Sequence, residues 1–351
     1  MLHPVSLLSL ATAVPPYVLE QQEVARRMLA AFGGCFERNP QLSDIFVNAG
    51  IERRYSVRPI EWIEQPHDWG ERGAAYLQGA GELFVAAAAS ALERAGLRGR
   101  DIDVVVSVTS SGIATPSLDA RVGPALGLRP DVSRVPVFGL GCAGGTTGLA
   151  IAARFARAHP GHKVLLVAVE LNTLAFRRDR RAKANIVASA LFGDGAAAAV
   201  LETGSQPRSL ARIGASAEHT WPDTLDVMGW SVDPLGLGVV LSRAVPRFIE
   251  QRLGAPADAF MSRAGCDPRG RFLCHPGGAK VVAAIETALG LRSGTLAHER
   301  AVLRDYGNMS SPSVLFVLYR ALADGLRGPA MVTALGPGFT ASFLSLEAGR
   351  A

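Results

Sequence analysis

The sequence predicts an α/β protein in which helices pack on largely parallel strands, and three observations carry that expectation. Short apolar runs of the buried-strand kind, at 101–109, 163–169, 196–201 and 330–335, alternate with helical patterns at 82–95, 148–158 and 313–326. Apolar residues make up 48% of the chain and charged residues 19%, which suits a large buried core and excludes wholesale disorder. The 351 residues correspond to two structural units at roughly 100–200 residues each.

The segment Val5-Ser-Leu-Leu-Ser-Leu-Ala-Thr-Ala13 resembles a signal core, but no Lys or Arg precedes it and Pro15-Pro16 follows, so it reads as the first strand. The polar stretch Glu202-Thr-Gly-Ser-Gln-Pro-Arg208 is the best candidate for a seam. It divides the chain into an N-terminal half, 1–205, carrying Cys142, and a C-terminal half, 206–351, carrying His275 and Asn308. A site built from both halves would lie at their interface, where clefts often form.

The net charge is +5, carried by dispersed arginines with lysine only at 163, 183 and 280. Such a balance suits an anionic small molecule and is a poor nucleic-acid footprint. No apolar run reaches the ~20 residues of a membrane helix. Four cysteines, Cys35, Cys142, Cys266 and Cys274, are too few to staple a chain this long, which points to a reducing, cytoplasmic setting.

The most informative stretch is Arg134-Val-Pro-Val-Phe-Gly-Leu-Gly-Cys142-Ala-Gly-Gly-Thr-Thr-Gly-Leu-Ala, an apolar strand, a glycine turn and a helical pattern. A cysteine at a helix start is biased toward thiolate by free backbone N–H groups and the dipole. A cysteine among small apolar residues is also a common inert core filler. Gly139, Gly141 and Gly144 spell GxGxxG, the dinucleotide fingerprint, with Glu170 at a tolerable distance for the ribose acid.

Two further turns display polar groups. His275 follows a short apolar strand in Cys-His275-Pro-Gly-Gly, where Gly277 and Gly278 keep the surroundings open; a hydrogen-bonded structural histidine is the plain alternative. Asn308 precedes an apolar helix in Tyr-Gly-Asn308-Met-Ser-Ser-Pro-Ser, where a cap or Asx turn is the plain alternative. Together a thiol nucleophile, an imidazole base and an amide donor have complementary chemistry for acyl transfer.

At this point the chain resembles the type III polyketide synthases, the chalcone and stilbene synthase family, along nearly its whole length. The motifs are Gly-Leu-Gly-Cys142-Ala-Gly-Gly, Leu191-Phe192-Gly-Asp-Gly-Ala, His275-Pro-Gly-Gly, Tyr306-Gly-Asn308-Met-Ser-Ser-Pro-Ser and Leu335-Gly-Pro-Gly338, in the family's order. The resemblance implies the thiolase fold, two similar halves in an αβαβα five-layer sandwich, and a homodimer. It implies that Cys142 carries the growing acyl chain, that His275 and Asn308 hold the thioester carbonyl of malonyl-CoA during decarboxylation, and that Phe192 walls the junction of CoA tunnel and cavity. Ser110, Thr115, Ala175, Trp230, Val239, Gly277, Gly278, Gly336 and Gly338 are then expected around the substrate. Arg53, Arg54 and Arg58 are candidates for the CoA phosphates. Backbone N–H groups at Cys142 and in the 336–338 loop are candidate oxyanion donors. The partners are CoA thioesters, with no metal or redox cofactor, because decarboxylation supplies the driving force.

The departures narrow the expectation. Val239 aligns with a gatekeeper phenylalanine of the plant enzymes, Ala175 with a cavity threonine, Thr115 with a methionine that reaches across the dimer, and Trp230 with a glycine. Together with Gly50-Ile-Glu-Arg-Arg-Tyr-Ser-Val, this pattern looks like the bacterial alkylpyrone and alkylresorcinol synthases, which take long fatty acyl-CoA starters. The alternatives are an initiating β-ketoacyl-carrier-protein synthase, whose histidine motif usually continues Gln-Ala-Asn, a nucleotide-binding dehydrogenase resting on GxGxxG, and a non-catalytic acyl-binding dimer.

Overall fold

The computed structural model describes residues 3–33, 36, 44–180, 182–204, 209–267 and 271–349. Its strands in chain order are β1 (Val5–Ala13), β2 (Tyr17–Glu20), β3 (Arg53–Ser56), β4 (Val104–Thr109), β5 (Ser133–Phe138), β6 (Lys163–Leu171), β7 (Asp194–Thr203), β8 (Ala211–Thr220), β9 (Met228–Asp233), β10 (Gly236–Leu241), β11 (Phe272–Cys274), β12 (Gly328–Gly336) and β13 (Thr340–Ala348). Nine of them form one sheet, ordered β11-β12-β13-β8-β1-β7-β6-β4-β5.

That order contains a duplication. β5-β4-β6-β7-β1 in the first half is matched by β11-β12-β13-β8 in the second, which among the described residues lacks the outermost strand. The directions match too: β4 and β6 are parallel like β11 and β12. β6–β7 and β7–β1 are antiparallel like β12–β13 and β13–β8. The halves join where Val5–Leu7 pair with Ala211–Ile213, a short register at one corner. The expected boundary at 205/206 lies outside the described residues; the flanking strands end at Thr203 and begin at Ala211.

Side chains alternate between layers because successive strand residues face opposite ways. Val104, Val106 and Val108 of β4, Leu166 of β6 and Val332 of β12 point to a central core shared with helices Gly144–Ala158 and Ser311–Ala323. Val105, Leu165 and Val167 point outward under helix Trp69–Ala95. Met331, Leu335 and Phe343 point outward under helices Val245–Arg252, Gly254–Ala264 and Ala279–Ala288. Helix, sheet, helix, sheet, helix is the five-layer thiolase sandwich that the sequence predicts.

Two expectations need correction. The strands are not largely parallel: most neighbouring pairs in the sheet run antiparallel. A run buried on both faces looks the same whichever way its neighbours point, so apolar content carries no direction. The first long helix begins at Trp69 and not at 82, set by a capping box in which Asp68 accepts from the Glu71 N–H and Glu71 from the Asp68 N–H. Gly73, Gly79 and Gly81 hide its first half. Gly79 is there for packing, since a Cβ at that position would lie 2.8 Å from Val57. Among the described residues, no helix is long and apolar enough to cross a membrane.

Candidate active site

Cys142 lies in a single 3-10 turn, Gly141–Ala143, between β5 and the central helix Gly144–Ala158. The turn needs glycine at 141: its φ is +48°, and a Cβ there would sit 2.7 Å from Pro337. Ser110 Oγ accepts the Gly141 N–H at 3.0 Å, and the Ser110 N–H donates to Glu170 Oε2 at 2.9 Å. Glu170 is fully buried and also accepts from Ser311 Oγ at 3.0 Å; burial pushes its carboxyl up to about 7. The cysteine turn therefore stands on a polar plug linking β6 to the second half.

His275 follows β11, and its N–H donates to Thr333 O of β12 at 2.9 Å. Asn308 and Phe192 are placed together. The Asn308 N–H donates to Leu191 O at 2.8 Å and the Gly193 N–H to Asn308 O at 3.0 Å, forming a parallel bridge between the two segments. The Asn308 carboxamide is oriented by three neighbours. Its Nδ2 donates to Gly277 O at 3.2 Å, and its Oδ1 accepts the Ser310 N–H at 2.8 Å and lies 4.0 Å from Cys142 Sγ. Ser310, at φ +61°, also hydrogen-bonds the thiol and lines the cavity.

Cys142, His275 and Asn308 line one cavity of about 510 Å³, built from both halves. Phe192, Trp230, Val239, Gly277 and Gly278 line it as well. The rings of Phe192 and Trp230 lie 6.4 Å apart, tilted by 50°. Both nitrogens of the His275 ring are buried without a hydrogen-bond partner, and the residue is only 2% exposed. Buried polar atoms are rarely left so; a ring in this state offers a donor and an acceptor to whatever enters. Burial pushes its pKa down to about 3.

Burial opposes the bias toward thiolate that a helix start gives Cys142. The residue is 7% exposed, and burial first, then the Glu170 carboxylate, push the thiol up to about 11 against the pull of its bonds to Ser310 and Asn308. The two unpartnered nitrogens of the His275 ring, in the same cavity, are the groups that can take the thiol proton as sulfur attacks.

Several expected residues lie elsewhere. Ala175 lines a side pocket of about 40 Å³ that shares Phe192 and Val239 with the main cavity. Ser110 sits beneath the cysteine turn and Thr115 is exposed on the loop before helix Leu118–Leu126. Gly336 and Gly338 bracket Pro337, and it is the proline ring that fronts the cavity; a Cβ at Gly336 would lie 2.7 Å from the Ala143 nitrogen. Arg54 is corrected outright. It is 2% exposed and its guanidinium donates to Ser189 O, Phe192 O and Gln21 Oε1, so it pins the turn that carries Phe192 and cannot meet a phosphate. Arg53 and Arg58 do not line the cavity, and Arg58 is held by Gln78 over the Trp62 ring. Among the described residues the cations that line it are Lys183, Arg243 and Lys280, with Asp44 beside them in the lining, and the sequence reading missed all three.

The dinucleotide alternative fails on packing. A Cβ at Gly144 would lie 2.7 Å from Val108, and one at Gly145 2.2 Å from Ser311 O. These glycines bring the central helices together and cradle no phosphate, while Glu170 is sealed away from any ribose.

A duplicated five-layer frame with a reactive-residue cavity across its two halves defines an acyl-transferring condensing enzyme of the thiolase fold. The chain belongs to the chalcone and stilbene synthases and is a type III polyketide synthase: the family's N-terminal domain matches residues 3–207 and its C-terminal domain residues 212–346. It is 38% identical to a 1,3,6,8-tetrahydroxynaphthalene synthase of Streptomyces peucetius subsp. caesius, over 97% of this chain and 93% of that protein. It is 32% identical to a putative chalcone synthase of Bacillus subtilis (strain 168), over 96% and 97%. The crystal structure of 1,3,6,8-tetrahydroxynaphthalene synthase from Streptomyces coelicolor A3(2) superposes with a TM-score of 0.92 at 26% identity, covering 99% of both chains. Membership of this family sets aside the carrier-protein synthase alternative.

Proposed function

We propose that the protein loads a long-chain fatty acyl-CoA onto Cys142, extends it with malonyl-CoA, and closes the product to an alkyl α-pyrone or alkylresorcinol. The observation that carries this reading is the unpartnered, buried His275 ring in the same cavity as Cys142 and Asn308, behind apolar walls such as Val187, Leu191, Val240 and Ile249. His275 takes the thiol proton as sulfur attacks the acyl thioester, and CoA leaves with that proton. Malonyl-CoA then loses CO2 beside Phe192, whose ring excludes water from the departing carboxylate. The enolate oxygen is held by N–H groups of His275 and Asn308, its carbon attacks the acyl thioester, and Cys142 is released for the next transfer.

Lys183, Arg243 and Lys280 serve the CoA phosphates in this reading. Replacing Lys183 and Lys280 by Gln is expected to raise KM for CoA thioesters about 3–10-fold per site with kcat kept, an effect that shrinks as salt is added. Arg53→Gln is expected to leave KM unchanged; initial rates at two ionic strengths check both. A homodimer is part of the proposal. Ile113 and Phe138 are each 58% exposed, and Phe138 pairs with Thr109, directly before the loop that carries Ile113 and Thr115.

The starter is tested by competing acyl-CoAs of graded length with products read by mass. Long starters are expected to dominate, and Ala175→Phe, which fills the side pocket behind Phe192 and Val239, is expected to shift the profile to shorter chains. An unaltered profile contradicts the size reading. A second reading, a polyhydroxylated aromatic made from malonyl-CoA alone, is favoured by the 38% identity to a tetrahydroxynaphthalene synthase; a product formed without any acyl-CoA added would select it.

A further inference from the structure

We propose that Asp233 is a positioning residue that sets starter selectivity by locking the β9–β10 hairpin, and with it Trp230 and Val239, against the N-terminal half. The inference rests on the polyketide synthase reading of the cavity. The hairpin is a two-stranded sheet of its own, outside the nine-stranded ladder. An isolated hairpin is marginal in water, so its pose depends on what holds it. Its register places Trp230 opposite Val239 at the cavity wall and Asp233 opposite Gly236 at the far end.

At that end one carboxylate gathers two guanidinium groups from the other half. Asp233 accepts from Arg177 Nη1 at 2.6 Å and from Arg180 Nη2 at 2.5 Å, and also from the Leu235 N–H at 2.9 Å. The side chain of Arg177 is 3% exposed, and its remaining bonds go to Asp179. Breaking the pair leaves the buried Nη1 of Arg177 without its acceptor while Asp179 keeps the other nitrogens, so the clamp resists opening more than a surface pair would. Arg180 Nη1 also donates to Ser231 Oγ at 3.0 Å, and Ser231 Oγ donates to Gly238 O at 3.1 Å, which ties both strands. Gly238 is open for this purpose: a Cβ there would lie 2.0 Å from Arg180 Nη1.

The arginine segment is itself fixed to the opposite wall. Asn185 Nδ2 donates to Arg177 O at 2.7 Å and to Arg180 O at 3.0 Å, and Asn185 belongs to helix Lys183–Leu191, which runs directly into Phe192. Asp233 thus connects the strand of Trp230 to the helix that leads into Phe192, two neighbouring rings of the cavity lining. Releasing it frees the Trp230 wall to withdraw and admits a longer chain.

The test compares wild-type protein with Asp233→Asn, Asp233→Glu and Arg180→Gln. Purified proteins receive malonyl-CoA with hexanoyl-CoA and tetradecanoyl-CoA in competition, and malonyl-CoA decarboxylation is followed in parallel. Asp233→Asn and Arg180→Gln are expected to move the kcat/KM ratio about five-fold or more toward the longer starter. Decarboxylation should stay at the wild-type rate, and Asp233→Glu should restore the ratio. An unchanged ratio in both variants, or an equal fall for both starters with a lowered melting temperature, overturns the inference and leaves the clamp structural. Arg180→Gln keeps the Asp233–Arg177 pair and decides the matter if Asp233→Asn fails to fold. A wild-type protein that extends neither starter overturns the acyl-CoA starter reading on which the inference rests, and the inference with it.

Discussion

Cys142→Ala is expected to take up no acyl group from acyl-CoA, and product formation should fall by ~10⁴-fold or more. The sulfur sits on a turn built for it alone: Gly141 at φ +48° under Pro337, anchored through Ser110 to buried Glu170. Alanine fits the same turn without strain, so the fold is expected to survive and the loss to be chemical. Malonyl-CoA decarboxylation needs the enolate donors and not the thiol, and it should persist in the variant. Intact-protein mass after brief exposure to acyl-CoA checks the first claim and CO2 release the second. An adduct on the variant at the wild-type rate would move the nucleophile elsewhere.

Removing the donors should give the complementary pattern. Asn308→Ala is expected to slow malonyl-CoA decarboxylation by ~10²–10³-fold, the size of losing one preorganised oxyanion donor. Its Nδ2 donates to Gly277 O and its Oδ1 accepts from the Ser310 N–H, so the carboxamide is held in place before substrate arrives. His275→Ala should slow decarboxylation comparably and acylation as well, because the same ring takes the thiol proton. Asn308→Ala should spare acylation by comparison. Stopped-flow decarboxylation and single-turnover acylation on both variants separate the roles; equal loss of both steps in Asn308→Ala would remove the division of labour.

Much of the site is legible in the amino-acid sequence. Motifs around Cys142, His275, Asn308 and Phe192 are local, and each sits on a glycine-bearing turn whose conformation dictates its residues. What was hidden depends on burial and on contacts between distant segments. Arg54 reads like its neighbour Arg53, yet its side chain turns inward to serve the backbone around Phe192. The upward push on the Cys142 thiol follows from enclosure by the whole chamber, which the helix-start argument omits. Strand direction was invisible because both faces of β6 and β7 are apolar whichever way they run. One signal was present and unused: in a chain with only three lysines, two of them, Lys183 and Lys280, line the cavity.

The central claim is that decarboxylation and chain growth occur in one chamber on one bound chain. Malonyl-CoA labelled at its free carboxyl, supplied with a long-chain acyl-CoA, measures this directly. One labelled CO2 is expected for each two-carbon unit that mass spectrometry finds in the product, with no label retained. Label kept in the product, or CO2 released with no lengthening of the acyl chain, would contradict it.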